Sequence, residues 1–361
     1  MIKNIVIFIL FFAVFGCSEK NVMRADESEL YTIKSFDMES FDSQIDLKGQ
    51  KLELQELYYP DLIHVQGDYI VVSETQSDTL FHILDRNDFS YLKNIGKVGV
   101  APGEIESCSR FFKSSKNDEF WSYSITSKVI SKFNISDSSI LSKTQVKPKN
   151  QEMYLASSLS LSSEASFIST RNSGDEKFVE FSFDGEILET YHSWQDMLTL
   201  KDIPSNVISA LFQGNFATNS GYDHYAFACL DADIIEVLHK PTGKITSIRG
   251  PIDHLPEFDV DYGAGYAMCA LRLNTVKYCY LDVAMTKDKI YGLFSGHSFE
   301  EIDINNELKM CEQVFVFDLE GNPLAHYTLD QPIFHFTVDE KNQRILGITY
   351  DEDPNVVVFN L

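Results

Sequence analysis

Val314-Phe315-Val316-Phe317-Asp318-Leu319-Glu320-Gly321-Asn322-Pro323-Leu324-Ala325-His326-Tyr327 is an apolar run that ends on an aspartate, turns through Gly-Asn-Pro and sets out again. Glycine and asparagine accept the positive φ that tight turns demand, so the stretch reads as a β-hairpin. Val179-Glu180-Phe181-Ser182-Phe183-Asp184-Gly185-Glu186-Ile187-Leu188-Glu189-Thr190-Tyr191 has the same arrangement. The same ending closes Phe81-His82-Ile83-Leu84-Asp85 and Val356-Val357-Val358-Phe359-Asn360, with weaker versions at Phe133-Asn134-Ile135-Ser136 and Ile235-Glu236-Val237-Leu238-His239. Six endings result, at 85, 136, 184, about 240, 318 and 360, with steps of 51, 48, about 56, about 78 and 42 residues. A period near 50 with about four strands per unit is the signature of propeller blades.

The chain ends agree. The last strand finishes at Leu361 without the outer strand that should follow it, while Lys51-Leu52-Glu53-Leu54-Gln55-Glu56-Leu57-Tyr58 is an orphan strand ahead of the first full unit. Pro60-Asp61-Leu62-Ile63-His64-Val65 resembles Pro332-Ile333-Phe334-His335-Phe336-Thr337, which places both at the start of a blade. If the orphan pairs with the terminal blade, the ring closes and leaves no open sheet edge there. The fold expected is an all-β, six-bladed β-propeller over residues 45–361, closed by an N-terminal strand on the C-terminal blade. A repeated two-sheet sandwich leaves both unpaired ends unaccounted for. Helical periodicity is confined to Gln195 to Phe212, interrupted at Pro204, and the surplus length falls in polar loops such as Glu300 to Lys309.

Upstream, Lys3 precedes an uncharged run from Ile5 to Phe15, too short to span a bilayer but suited to a secretory signal over residues 1–16. The run stops at Val14-Phe15-Gly16-Cys17, which resembles the lipobox of bacterial lipoproteins. That likeness implies cleavage before Cys17, acylation of its thiol and anchoring to a membrane of the cell envelope, the outer membrane being expected. Residues 17–44, with Glu19, Asp26, Glu27 and Glu29 and little apolar patterning, read as a flexible tether.

The formal charge is −24, and −25 once Lys3 leaves with the signal. So acidic a surface repels nucleic acid and anionic headgroups. Clusters such as Glu300-Glu301-Asp303 and Asp351-Glu352-Asp353 lack the ligand spacing of a calcium loop and read as solvated turns. Beyond Cys17 stand Cys108, Cys229, Cys269, Cys279 and Cys311, an odd number with no metal-site spacing; buried thiols, or one Cys269–Cys279 bridge, are the open alternatives. No cofactor or metal is expected.

Gly96-Lys97-Val98-Gly99-Val100-Ala101-Pro102-Gly103-Glu104-Ile105 is more specific. Its glycines and Pro102-Gly103 make a tight connection, and Glu104 can accept hydrogen bonds from exposed backbone donors. The segment resembles one carried by Bacteroidetes lipoproteins with a TolB-like or NHL-like six-bladed propeller, with Ile105 where an aromatic is usual. The resemblance covers residues 45 to 361 and implies the fold; Gly96, Gly99, Pro102, Gly103 and Glu104 are expected to be structural.

No HExxH, HxH or GxSxG motif is present, and the nine histidines are scattered singly. Propeller sites are assembled from several blades at a channel mouth, so catalysis has no local signature to look for. The best local candidate for ligand contact is the loop from His254 to Tyr266, where Asp259, Asp261, Tyr262 and Tyr266 combine sugar-stacking rings with carboxylates. The function expected is binding or scaffolding for a glycan, peptide or envelope protein. The alternative is a hydrolase or lyase acting on a polysaccharide at the channel mouth.

Overall fold

A computed structural model describes residues 30–74, 77–197, 202–298, 301, 311–349, 351 and 353–361. The signal segment, Cys17 and most of the Glu300 to Lys309 loop lie outside the described residues. Six antiparallel sheets form the six blades. Their innermost strands are Pro60–Gln66, Arg110–Lys113, Ala156–Ser163, Gly214–Thr218, Tyr280–Met285 and His335–Asp339, for blades 1 to 6 in order. The third strands are Thr79–Asp85, Val129–Asn134, Glu176–Ser182, Ile234–His239, Cys311–Asp318 and Val356–Asn360. Each recurring apolar ending in the sequence is therefore the third strand of one blade. That strand is covered on both faces, so it reads as a nearly continuous apolar run, as in Val314–Phe317, where all four side chains are buried.

One apolar cluster fills each of the six seams between blades. Two seams also carry buried ions. Asp339 of blade 6, fully buried, receives Arg86 of blade 1 and, at 2.9 Å, Nε of Arg344. Between blades 3 and 4, Lys177 and Glu236 form an ion pair with no solvent exposure on either side chain.

From residue 30 onward the chain departs from the tether read for residues 17–44. Strand β1 (Tyr31–Ser35) adds in parallel to the outer strand Lys244–Arg249 of blade 4, with Tyr31 opposite Ile245. Strand β2 (Ser43–Leu47) adds in parallel to Pro323–Ile333 of blade 5, and β3 (Gly49–Lys51) closes blade 6 antiparallel to Val356–Asn360. The segment thus forms a strap laced around three blades. Phe36 and Phe41 hold it, buried between blades 4 and 5 against Phe315 and Phe317. Tyr31 Oη donates to Glu236 Oε1 at 2.5 Å and so completes the buried ion pair beneath it.

Ring closure by an N-terminal strand is as expected, but the closing strand is 49–51 rather than 51–58. A Cβ on Gly49 would come within 2.7 Å of Val357 Cγ2 and 2.8 Å of Phe359 Cε1, so glycine is what admits the chain to that edge. Beyond Lys51 the chain leaves the sheet, and Leu57 turns into the seam of blades 6 and 1. The surplus length between blades 4 and 5 includes a hairpin of Phe258–Asp261 and Met268–Leu271. A 3₁₀ turn at Trp194–Met197 and helix α1 (Ser205–Leu211), entered through Pro204, occupy the stretch read as interrupted helix.

Candidate functional site

Because the six inner strands run parallel around the axis, their first residues share one face and their last residues the other. Near the first-residue face a polar plug crosses the channel. Arg110 of blade 2 reaches Asp282 of blade 5 at 2.8 Å, and its other nitrogen donates to Asn215 of blade 4. Asp282 also accepts the Phe336 amide at 3.3 Å and lies 3.3 Å from His335 Nε2. The Ile63 amide donates to His335 Nδ1 at 3.2 Å, which puts the ring's proton on Nε2, toward Asp282. Protonating Nδ1 would abolish that bond, and burial holds the imidazole pKa down to about 4.

Above the plug the channel widens into a cavity of about 330 Å³, lined by inner-strand residues of all six blades and by the turns that follow two of them. This is within the size range of small-ligand sites. Its walls are Phe111, Phe112, Phe216, Val283, Met285 and Phe336; its polar groups are chiefly His64, Lys113, Ser160, Thr218, Asn219 and Thr337. His64, 7% exposed, stacks on Phe111 at 5.6 Å and leaves Nε2 without a hydrogen bond. Burial, with Lys113 nearby, pushes its pKa down to about 3, so the ring is neutral. At the mouth Tyr222 of blade 4 reaches past blade 3, and its hydroxyl donates to the Lys113 carbonyl at 3.1 Å.

The charge of the lining is unlike that of the chain. The sequence has 54 acidic residues against 30 basic ones. Yet the 22 lining residues include Arg110, Lys113 and two neutral histidines and no aspartate or glutamate. Arg110 is committed to the plug. The Lys113 side chain is exposed to solvent at the mouth, and desolvation by the surrounding protein lowers its pKa. Among the described residues, no carboxylate comes within ion-pair distance of its ammonium. Glu340, in an adjoining recess that shares Lys113, acts on it only from farther away.

The sequence-derived candidates lie elsewhere. Asp259, Asp261, Tyr262 and Tyr266 sit on the hairpin between the outer strand of blade 4 and the inner strand of blade 5, hence on the face opposite the cavity mouth. Arg272 engages Asp259 at 3.1 Å and Glu257 at 2.7 Å, while Tyr262 and Tyr266 are exposed. The structure does not bring this loop to the cavity. Gly96, Gly99, Pro102, Gly103 and Glu104 form the passage from blade 1 to blade 2. Glu104 accepts the Ala101 amide at 3.0 Å and the Lys97 ammonium at 2.6 Å, and the Lys97 contact holds its carboxyl below the usual carboxylate range. Gly99 has φ +153, and a Cβ there would lie 2.0 Å from Glu104 Oε2. Cys17 lies outside the described residues. The other five cysteines are free, so the Cys269–Cys279 bridge is not formed. Among the described residues no three His, Cys, Asp or Glu side chains gather as a metal site.

Sequence reading missed the cavity because its polar groups come from different inner strands. The available signal was a polar residue closing an otherwise apolar first strand, as Lys113 closes Arg110-Phe111-Phe112.

Comparison with known proteins places this architecture. A family model described as TolB-like, six-blade propeller-like, matches residues 40–341. The chain superposes on a DUF4221-family protein from Bacteroides vulgatus with TM-score 0.55 at 10% identity, covering 87% of this chain and 96% of that one. It also superposes on a putative exported protein from Bacteroides fragilis with TM-score 0.52 at 11% identity, covering 91% and 98%. No curated protein sequence matches it. At these identities the likeness is one of fold.

Proposed function

Since the chain belongs to the TolB-like six-bladed propeller family, we propose that it is a binding protein of the cell envelope, anchored by lipid on Cys17, with the propeller channel as its ligand seat. One observation carries the second half: a cavity of about 330 Å³ built by all six blades, plugged at one end and open at the other. A cavity this small takes a compact ligand or the terminus of a longer glycan or peptide, including one borne by an envelope protein. The hydrolase alternative requires a pair of carboxylates around the scissile bond, and among the described residues none lines the cavity.

The lipobox at Val14–Cys17 and the apolar run before it support export and outer-membrane anchoring. The Bacteroides fragilis relative is itself described as a putative exported protein. Cys17→Ser should shift the protein from the membrane pellet to the soluble fraction and end its labelling by an alkyne-tagged fatty acid; unchanged pelleting and labelling would refute the anchor. For the seat, a thermal-shift screen of compact sugars, peptides and organic acids is compared with Ala217→Phe, which fills the lumen from blade 4. Ligands that stabilise the native chain and no longer stabilise a folded Ala217→Phe variant support the reading. Equal shifts in both chains would place binding elsewhere.

A further inference from the structure

The cavity wall divides into an apolar side and a single uncommitted charge. Phe111, Phe216, Phe336 and Met285 come from blades 2, 4, 6 and 5, while Lys113 stands at the mouth end of its strand. An enclosure free of acids is selective in a chain with a surplus of 24 negative charges. A cation entering it would meet the Lys113 ammonium and, among the described residues, no lining carboxylate to receive it. An anion would meet an ammonium that lacks a partner. Only one such charge is available, because the Arg110 guanidinium is held by Asp282 and Asn215. A dianionic phosphate would be left half-neutralised, whereas a carboxylate is matched.

We infer that the cavity takes a single organic carboxylate with an apolar body, Lys113 meeting the carboxylate and the phenylalanines holding the body. The inference rests on the channel being the ligand seat, and the test separates the two. Three matched probes differ only in their head group: 3-phenylpropanoate, 3-phenylpropan-1-ol and 3-phenylpropylamine. Each is titrated into the purified mature chain by calorimetry at about 0.15 M salt, where surface charges beyond about 8 Å are screened. The carboxylate should bind at least about tenfold more tightly than the alcohol, the scale of one charge-assisted hydrogen bond, and the amine least. Lys113→Met should abolish that preference, and Lys113→Arg should keep it. Among the described residues the Lys113 ammonium makes no ion pair, so Lys113→Met breaks none. If carboxylate and alcohol bind the native chain equally, or the preference survives Lys113→Met, the carboxylate assignment falls and the seat stands. If no probe binds at millimolar concentration, the seat falls with it.

Discussion

Replacing Phe36 by alanine tests whether the strap belongs to the folded propeller. The ring is 7% exposed and meets Phe41 and Phe315 edge-on at 5.5 Å and Phe317 at 5.1 Å. Its amide donates to the Arg249 carbonyl at 2.9 Å, so the backbone at this point is fixed as well. Removing a buried phenylalanine side chain costs about 3–5 kcal/mol, which includes transfer to water and the cavity left behind. Three edge-to-face contacts place Phe36 within that range rather than below it, and the strap's single-stranded approach lets the site relax, so about 3 kcal/mol is expected. That is a large share of the roughly 5–15 kcal/mol that holds a typical fold. Urea unfolding followed by the fluorescence of the buried Trp121 and Trp194 reads the loss as a lower midpoint at unchanged slope. Ile33→Ala, at a side chain 53% exposed on the same strap, is the control and should stay within about 0.5 kcal/mol. Equal, small effects of the two substitutions would refute the claim that Phe36 clamps the strap into the seam.

The buried Lys177–Glu236 pair should behave asymmetrically: Lys177→Met strands a buried carboxylate and costs about 3–5 kcal/mol, while Lys177→Met with Glu236→Leu recovers much of it, read by the same urea titration. Acid should destabilise the fold through His335 and His64, whose folded pKa values of about 4 and about 3 lie below the ordinary 6.5. The unfolded chain therefore binds protons first, so their stabilisation is intact above about pH 6.5 and is lost as pH falls toward 4 and then 3, by up to about 1.4 kcal/mol per unit for each ring. His335→Gln should flatten the dependence of the urea midpoint on pH between 6.5 and 4; an unchanged slope would show that the ring does not govern it. Gly99→Ala should cost about 1–3 kcal/mol in melting experiments, since φ +153 and the 2.0 Å approach to Glu104 both oppose a side chain. Val100→Ala, one residue on and 80% exposed, should be neutral.

The ring was legible because a blade's third strand is covered on both faces and must be apolar along its length, which makes Val314–Phe317 and Val356–Phe359 conspicuous. Closure rests on Gly49–Lys51 pairing with Val356–Asn360, just ahead of the orphan strand read at 51–58. The strap was not legible. Tyr31–Ser35 and Ser43–Leu47 pair through backbone on one edge only, so most of their side chains stay solvated and no alternation is imposed. What fixes them is two aromatic residues, Phe36 and Phe41, in a polar segment. The cavity was hidden for a topological reason. His64, Lys113, Ser160, Thr218 and Thr337 stand on five different strands, far apart in the chain, and become neighbours only when the ring closes. Asp259–Tyr266 drew attention because its residues are neighbours in sequence, and it folds as a hairpin held by Arg272 on the other face.

The cavity between the six inner strands is proposed as the place where this protein holds its ligand. The most direct measurement is a crystal structure of the chain with 3-(4-bromophenyl)propanoate, located by the anomalous signal of its bromine. The bromine should lie among Phe111, Phe216 and Phe336, with the carboxylate at Lys113. A bromine bound against Tyr262 and Tyr266, or anywhere outside the channel while the cavity holds only water, would contradict it.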